Sequence, residues 1–307
     1  MNLTTHLLPC SYDGEMRYGK SPCSAVSSSV SHGTALVLVG WGEWIEKYTD
    51  VIRNWNERGY DVVVAEWRGQ GLSSRFLMDR NKTWLPSFDI LVDDLERLFR
   101  AELIDAKKVL LCCHSMGAHI GLRWYLARGR KYTSIKGIIL LSQLHKFNTS
   151  PVPPITAHIL IHLATWLGFD QAYAVGQHDF DQTSGKFETN PLTSDETTYR
   201  TFINQLNEKT ELKVGGITYG WLYALIQSTK RLEMDLARGA PRIAYMVMGP
   251  KEDMLVDARW FSRIASMLPN CASHTIVGAK HELLQETPAL RAQAWQRVDK
   301  FLGGLKA

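Results

Sequence analysis

Several features that would narrow the function of this chain at once are missing from it. Its five cysteines are odd in number and follow no framework spacing, which argues against a disulfide scaffold and for a reducing compartment. No segment gathers Lys and Arg into a stripe, and the net charge of +4 over 307 residues is mild. Nucleic-acid binding is therefore unsupported. No apolar run approaches the ~20 residues that a membrane span requires; the apolar segment 157–169 is interrupted by His158 and His162. The first twenty residues show no basic start followed by an apolar stretch, so no signal peptide is expected. Internal repeats and low-complexity tracts are absent. The expectation is a soluble cytoplasmic protein that meets a membrane surface at most peripherally and transiently.

What the chain does have is a hydrophobic content of 45%, enough to bury a sizeable core, and a regular rhythm. Residues 1–34 are polar, Ser-rich near Ser21 to Ser31, and read as an irregular lead-in with room for a hairpin. Runs at 35–39, 61–66, 109–113, 135–141, 243–248 and 273–277 read as strands, the continuous aliphatic run 35–39 as one buried on both faces. Helical periodicity at 44–58, 90–103, 257–268 and 288–302 separates them. This alternation predicts an α/β architecture, a mostly parallel central sheet with helices on both faces. The rhythm breaks between 145 and 235, where several helical patterns occur and no clear strand. The expected organisation is a core of residues 1–144 and 236–307, with 145–235 as a helical cap over the sheet edge where ligands bind.

The most informative stretch is Val109-Leu110-Leu111-Cys112-Cys113-His114-Ser115-Met116-Gly117. An aliphatic strand ends at a serine, small residues stand two before and two after it, and a helix follows. This is the pattern of a nucleophile elbow. A serine there needs a base and an orienting acid. The strand 243–248 runs into a loop carrying Glu252, Asp253 and Asp257, three acidic candidates. The strand 273–277 runs into a loop carrying His281. The order Ser, acid, His, each after a strand, is that of α/β-hydrolases.

On these residues the chain resembles the monoacylglycerol lipase and lysophospholipase family of α/β-hydrolases. The similarity rests on Gly40-Trp41-Gly42-Glu43 with Tyr48, Trp67-Arg68-Gly69-Gln70-Gly71-Leu72-Ser73, His114-Ser115-Met116-Gly117, Glu252 to Asp257, and His281-Glu282-Leu283. Asn190-Pro191-Leu192-Thr193 and Gly215 to Trp221 extend it into the cap. The resemblance implies Ser115 as nucleophile, His281 as general base and Asp253 as the orienting acid. It also implies the backbone N–H groups of Trp41 and Met116 as oxyanion donors. Glu252 and Asp257 are then expected on the surface or in local hydrogen bonds. Trp166, Leu167, Phe169, Tyr173, Tyr219, Trp221, Leu222 and Leu225 are candidates for an acyl-chain pocket. The implied activity is serine ester hydrolysis of a single-chain lipid, a lysophospholipid or a monoacylglycerol, without metal or organic cofactor. The alternatives are a carboxylesterase for small soluble esters and a non-catalytic relative that binds an apolar ligand.

Three positions depart from the family pattern. Val39 stands where a histidine is usual, Cys113 where the elbow usually has glycine, and Glu66 where an aspartate is usual. Glu66 is expected in a structural ion pair with Arg68. Asp93, Asp94 and Glu96 read as a solvated helix face. His158 and His162, four apart, lack the third ligand of a zinc motif, and His114, His119 and His145 read as structural.

Overall fold

The computed structural model describes residues 2–11, 13–23, 31–147, 152–180 and 186–305. Eight strands form one sheet: β1 (Thr4–Pro9), β2 (Glu15–Ser21), β3 (Thr34–Leu38), β4 (Asp61–Glu66), β5 (Val109–His114), β6 (Ile135–Leu141), β7 (Ala244–Pro250) and β8 (Cys271–Ile276). Their spatial order is β1-β2-β4-β3-β5-β6-β7-β8. The β1–β2 and β2–β4 pairs are antiparallel, and every other pair is parallel. The expected lead-in thus holds a hairpin that extends the sheet. The Ser-rich residues 24–30 lie outside the described residues.

The helices are α1 (Thr49–Glu57), α2 (Asp89–Glu102), α3 (Met116–Ala127), α4 (Pro154–Trp166), α5 (Glu196–Glu208), α6 (Tyr219–Ala237), α7 (Arg259–Met267) and α8 (Pro288–Gly304). All six residues of β5 are buried, as are the last four of β3 and the last five of β4. Strands buried without alternation must be covered on both faces, which explains their unbroken aliphatic runs. Helix α3 is buried along nearly its whole length. The single helix expected at 44–58 is divided: Ile45–Tyr48 forms a tight 3-10 turn before α1. The Ile45 N–H is taken by the Glu66 carboxylate at 3.0 Å rather than by a helical carbonyl.

Strand order positions the site. The chain passes from β3 to β4 on one side and returns to place β5 on the other side of β3. The carboxyl ends of β3 and β5 therefore flank the switch point, the place where open α/β sheets bind ligands. In the β3–β5 register Leu38 lies opposite Cys113. Three residues on from that pair are Trp41 and Met116. Sheet order and elbow together make this an α/β-hydrolase fold.

Between β6 and β7 the described residues carry α4, α5 and α6 and no strand of the sheet. Helix α4 carries no charged residue, and Ile155, Ile159, Leu160, Leu163 and Trp166 are exposed on it beside a stripe of His158, His162 and Thr165. No helix among the described residues is long and apolar enough to cross a membrane.

Two expectations about charged residues need correction. Glu66 does not pair with Arg68: its carboxylate takes Arg17 at 3.2 Å and the N–H groups of Ile45, Leu72 and Ser73. Arg68 instead meets Asp94, through Nε at 2.7 Å and Nη2 at 2.9 Å. The cause is β2, whose antiparallel register sets Arg17 directly opposite Glu66. Asp94 is thus buried, and Glu96 is buried against Trp124, Lys131 and Tyr132, so neither belongs to a solvated face, whereas Asp93 is half-buried beside Arg128. A helix pattern alone does not reveal that a distant loop arginine needs a partner there.

Candidate active site

Ser115 follows β5 directly and opens α3 with φ +51° and ψ −115°. Backbone strain of this kind costs about 1–3 kcal/mol and is kept where surrounding structure enforces it. The enforcement is visible. Ser115 N–H donates to the Leu141 carbonyl at 2.9 Å, and the Ser115 carbonyl accepts from Leu144 N–H at 3.1 Å. Gly117 lets the start of α3 press against β3, since a β-carbon there would stand 2.3 Å from the Leu38 carbonyl oxygen. Cys113 fits because Gly121, one helical turn further on, leaves space for its sulfur.

The loop after β3 is held from one side by Gln70, a buried residue of the Arg-Gly loop. Its Nε2 donates to the carbonyls of Gly40 and Glu43, both at 2.8 Å, and its Oε1 accepts from Gly42 N–H at 3.0 Å. The Trp41 indole donates to Thr83 at 3.1 Å. Among the described residues, the backbone N–H groups of Trp41 and Met116 donate to no protein group. Met116 sits at the positive end of the α3 dipole, a setting that favours developing negative charge.

Asp253 and His281 lie past the ends of β7 and β8, which are paired up to Pro250 and Ile276. His281 Nδ1 donates to Asp253 Oδ2 at 2.6 Å, and both side chains are buried. Asp253 Oδ1 accepts from the N–H groups of Leu255 at 2.8 Å and Val256 at 3.1 Å. Burial works against its ionised form, but the His281 ring and these two amides outweigh it and hold the carboxyl below its ordinary value. The nearby acids are placed elsewhere. Glu252 is exposed, and Asp257 makes a two-pronged contact with Arg259.

Ser115 stands at the same rim. The ring of its neighbour His114 is 4.9 Å from the His281 ring, and Ser142, just past β6, donates to the His281 carbonyl at 2.7 Å. Among the described residues no hydrogen bond joins the Ser115 hydroxyl to the imidazole. Such contacts are often long until substrate is bound.

The histidine loop is also tied to the insertion. His281 and Glu282 N–H groups donate to the carbonyls of Pro191 at 3.4 Å and Leu192 at 2.9 Å, and Thr193 donates to the Gln285 carbonyl at 2.9 Å. This gives Asn190-Pro191-Leu192-Thr193 a physical task that its sequence did not disclose.

The pocket candidates divide. Trp221 is buried, and packs within 5.4 Å of Phe88, 5.5 Å of Phe147 and 6.4 Å of Trp41. Tyr219 is half-buried at the start of α6. Trp166 and Phe169, 80% and 58% exposed, face outward instead of lining an enclosed pocket. Within α4 only Ile161 and Ala164 are buried, so most of its apolar surface has no neighbouring element to cover it.

One group of side chains has metal-ligand character among the described residues: Glu43, His114 and Glu282, with donor atoms within 4.8 Å of one another. The cation there is supplied by the chain. Lys47 Nζ sits between the two carboxylates, 2.5 Å from Glu282 Oε1.

Comparison with known proteins agrees with this architecture. The family described as serine aminopeptidase S33 (Hydrolase_4) matches residues 30–288. The chain is 27% identical to the probable lysophospholipase L2 of Haemophilus influenzae over 271 residues, 87% of this chain and 83% of that protein. It is 25% identical to lysophospholipase L2 of Escherichia coli K12 over 293 residues, 91% of this chain and 84% of that protein. Its fold is similar to a soluble variant of monoglyceride lipase from Saccharomyces cerevisiae solved with a substrate analog, with TM-score 0.74, 16% identity, and coverage of 98% and 97% of the two chains.

Proposed function

The chain belongs to the serine aminopeptidase S33 family of α/β-hydrolases, and from that premise we propose that it hydrolyses the acyl ester of a single-chain lipid, a lysophospholipid or a monoacylglycerol. The observation that carries this reading is the 2.6 Å Asp253–His281 hydrogen bond at the rim where Ser115 opens α3 with φ +51°.

In this reading Ser115 Oγ attacks the ester carbonyl while His281 Nε2 takes its proton. Asp253 holds the Nδ1–H tautomer and stabilises the imidazolium that forms. The tetrahedral oxyanion rests on the Met116 and Trp41 amides, which have no competing acceptor among the described residues. His281 returns the proton to the leaving alcohol, and water then releases the fatty acid from the acyl-enzyme. Each buried methylene of an acyl chain contributes roughly 0.8 kcal/mol, so a short apolar groove suffices to select long chains.

Residues 145–235 serve as the cap. The lipid reading is supported by the relatives named lysophospholipase L2 and by the outward apolar side chains of α4. From 151 to 169 the chain carries no Asp, Glu, Lys or Arg. Such a surface suits shallow contact with a bilayer, from which a single-chain lipid would be drawn.

Labelling with a fluorophosphonate probe tests the nucleophile: it is expected at Ser115 and abolished in Ser115→Ala. Turnover of a panel of lysophospholipids and monoacylglycerols tests the substrate. A p-nitrophenyl ester series favouring acetate over laurate, with no lipid turnover, overturns the lipid reading.

A further inference from the structure

Four charged side chains are buried together between the loop after β3 and the loop that carries His281. They are Glu43, Lys47, His114 and Glu282. Lys47 Nζ donates to Glu43 Oε1 and to Glu282 Oε1. Glu43 Oε2 accepts from Gly40 N–H, from the Tyr48 hydroxyl and from His114 Nδ1 at 3.3 Å. His114 Nε2 faces the backbone carbonyl of His281 at 3.3 Å, with Glu282 Oε2 3.8 Å away. Gln285 donates to that Oε2 at 3.0 Å.

Both ring nitrogens of His114 therefore face acceptors. A neutral imidazole donates through one nitrogen only. The Tyr48 hydroxyl lies 3.2 Å from Nδ1, but its proton is already directed at Glu43. The doubly protonated ring satisfies every contact. Burial and the nearby Glu43 push the Glu282 carboxyl up; with both carboxylates ionised, a positive ring beside Lys47 brings the cluster to neutrality. Burial opposes that charge, yet Glu282 and Glu43 outweigh burial and the repulsion of Lys47, pushing the ring's pKa up to about 9.

Two members of this cluster adjoin a proposed catalytic residue in the chain, and a third binds the residue that precedes one. His114 precedes Ser115, Glu282 follows His281, and Glu43 binds the N–H of Gly40, which precedes Trp41. Gly40 permits the approach: a β-carbon there would stand 2.7 Å from Glu43 Oε2 and 3.0 Å from His114 Nδ1.

We propose that His114 is held as an imidazolium and acts as a positioning residue, fastening the His281 backbone carbonyl to Glu43 and thereby the general-base loop to the oxyanion loop. The proposal rests on the roles assigned above to Ser115 and His281. Ser142 shares the same carbonyl, so loss of the His114 proton loosens the loop without releasing it. It also leaves one unbalanced negative charge near the developing oxyanion. The groups that face the titrating ring are Glu43, Lys47 and Tyr48 from the 43–48 segment, and on the other side Glu282 and the His281 ring itself, 4.9 Å from that of His114.

The experiment follows the His114 ring by NMR on protein with isotope-labelled histidine, assigned with His114→Gln, alongside kcat and KM for a soluble p-nitrophenyl ester against pH. In the wild type the ring keeps its proton through neutrality, and kcat falls with the same alkaline midpoint near 9. Glu282→Gln lowers both midpoints together by at least about one pH unit, and Lys47→Met raises both, with KM within about twofold. Glu282→Asp restores most of the wild-type profile. Opposite shifts from two neighbouring substitutions are not what a merely structural role produces. A wild-type ring that titrates at or below the ordinary histidine value overturns the proposal, and this needs no variant to fold. So does a kcat midpoint that stays put while the ring's midpoint moves. Failure of the wild type to label with fluorophosphonate overturns the hydrolase reading itself, and the positioning role with it. Labelling with an uncoupled His114 overturns only the positioning role.

Discussion

The sulfur of Cys113 lies against the bare α-carbon of Gly121: a β-carbon at 121 would stand 2.9 Å from Sγ and 2.8 Å from Leu38 Cδ1. A cysteine at the start of the elbow is thus accommodated from within α3, not by widening the turn. Helix propensity alone favours alanine over glycine at 121 by about 1 kcal/mol. The contact reverses that sign. Gly121→Ala is expected to destabilise by about 1–3 kcal/mol, the usual cost of overpacking. Cys113→Gly is expected to recover part of the loss, read as a coupling energy in urea unfolding of both single variants and the double.

The assignment of Asp253 over its neighbours has a kinetic signature. Asp253→Asn keeps the shape but offers His281 the wrong hydrogen-bonding partner, and kcat is expected to drop by roughly 10³–10⁴ with little change in KM. Glu252→Gln and Asp257→Asn should stay within about twofold of wild type. Steady-state kinetics on one soluble ester separates the three, and an equal loss in Asp257→Asn would displace Asp253.

Arg68 and Asp94 form a buried, two-pronged pair, whereas Arg53 and Asp50 form an exposed one. Removing one partner of a buried pair costs about 3–5 kcal/mol, because the other charge is stranded. Exposed pairs contribute about 0–1 kcal/mol. Asp94→Asn should therefore unfold at far lower denaturant than Asp50→Asn, and similar midpoints for the two would contradict the burial argument.

Stability should depend on pH through His114 and Asp253 with opposite signs. The His114 pKa is raised from 6.5 to about 9 on folding. Its contribution is fully present below 6.5 and is lost as pH climbs through 9. Asp253 is held below its ordinary value of 3.8. Its contribution is present at neutral pH and is lost on acidification below that value. Denaturant titrations at several pH values check both limbs, and the alkaline limb should be weakened in Glu282→Gln.

The outer face of α4 should govern membrane contact and not chemistry. Ile159 and Trp166 are 64% and 80% exposed, so replacing both with Asp removes no core packing. At about 2 kcal/mol per inserted side chain, vesicle partitioning should fall by roughly 30-fold for each. Turnover of a soluble ester should be unchanged. Sedimentation with anionic lipid vesicles measures the first quantity, and undiminished binding would rule out α4 as the contact.

Much of the architecture was legible in the linear order of residues, and for definite reasons. Aliphatic runs without alternation, such as Val109 to Cys113, occur where a strand is covered on both faces. A serine flanked by small residues after such a run marks an elbow, because only small side chains tolerate the bend and the close approach of α3 to β3. An acid and a histidine after the last two strands complete a set of residue types whose chemistry is interdependent. These signals are local or strictly ordered along the chain, so they do not depend on which distant residues meet in space.

Tertiary structure alone decided the partnerships. Arg17 takes Glu66 because an antiparallel hairpin strand adds beside β4, leaving Arg68 to reach Asp94 on a helix 26 positions away. The Gln70 side-chain amide bridges two loops by bonding backbone groups of the loop after β3, and the Pro191 and Leu192 carbonyls grip the histidine loop through backbone that any residue carries. The charge of His114 depends on Glu43 and Glu282, 71 and 168 positions from it in the chain. Hydrogen bonds and buried charges are settled by proximity in space, and that proximity exists only once the sheet has set its strand order.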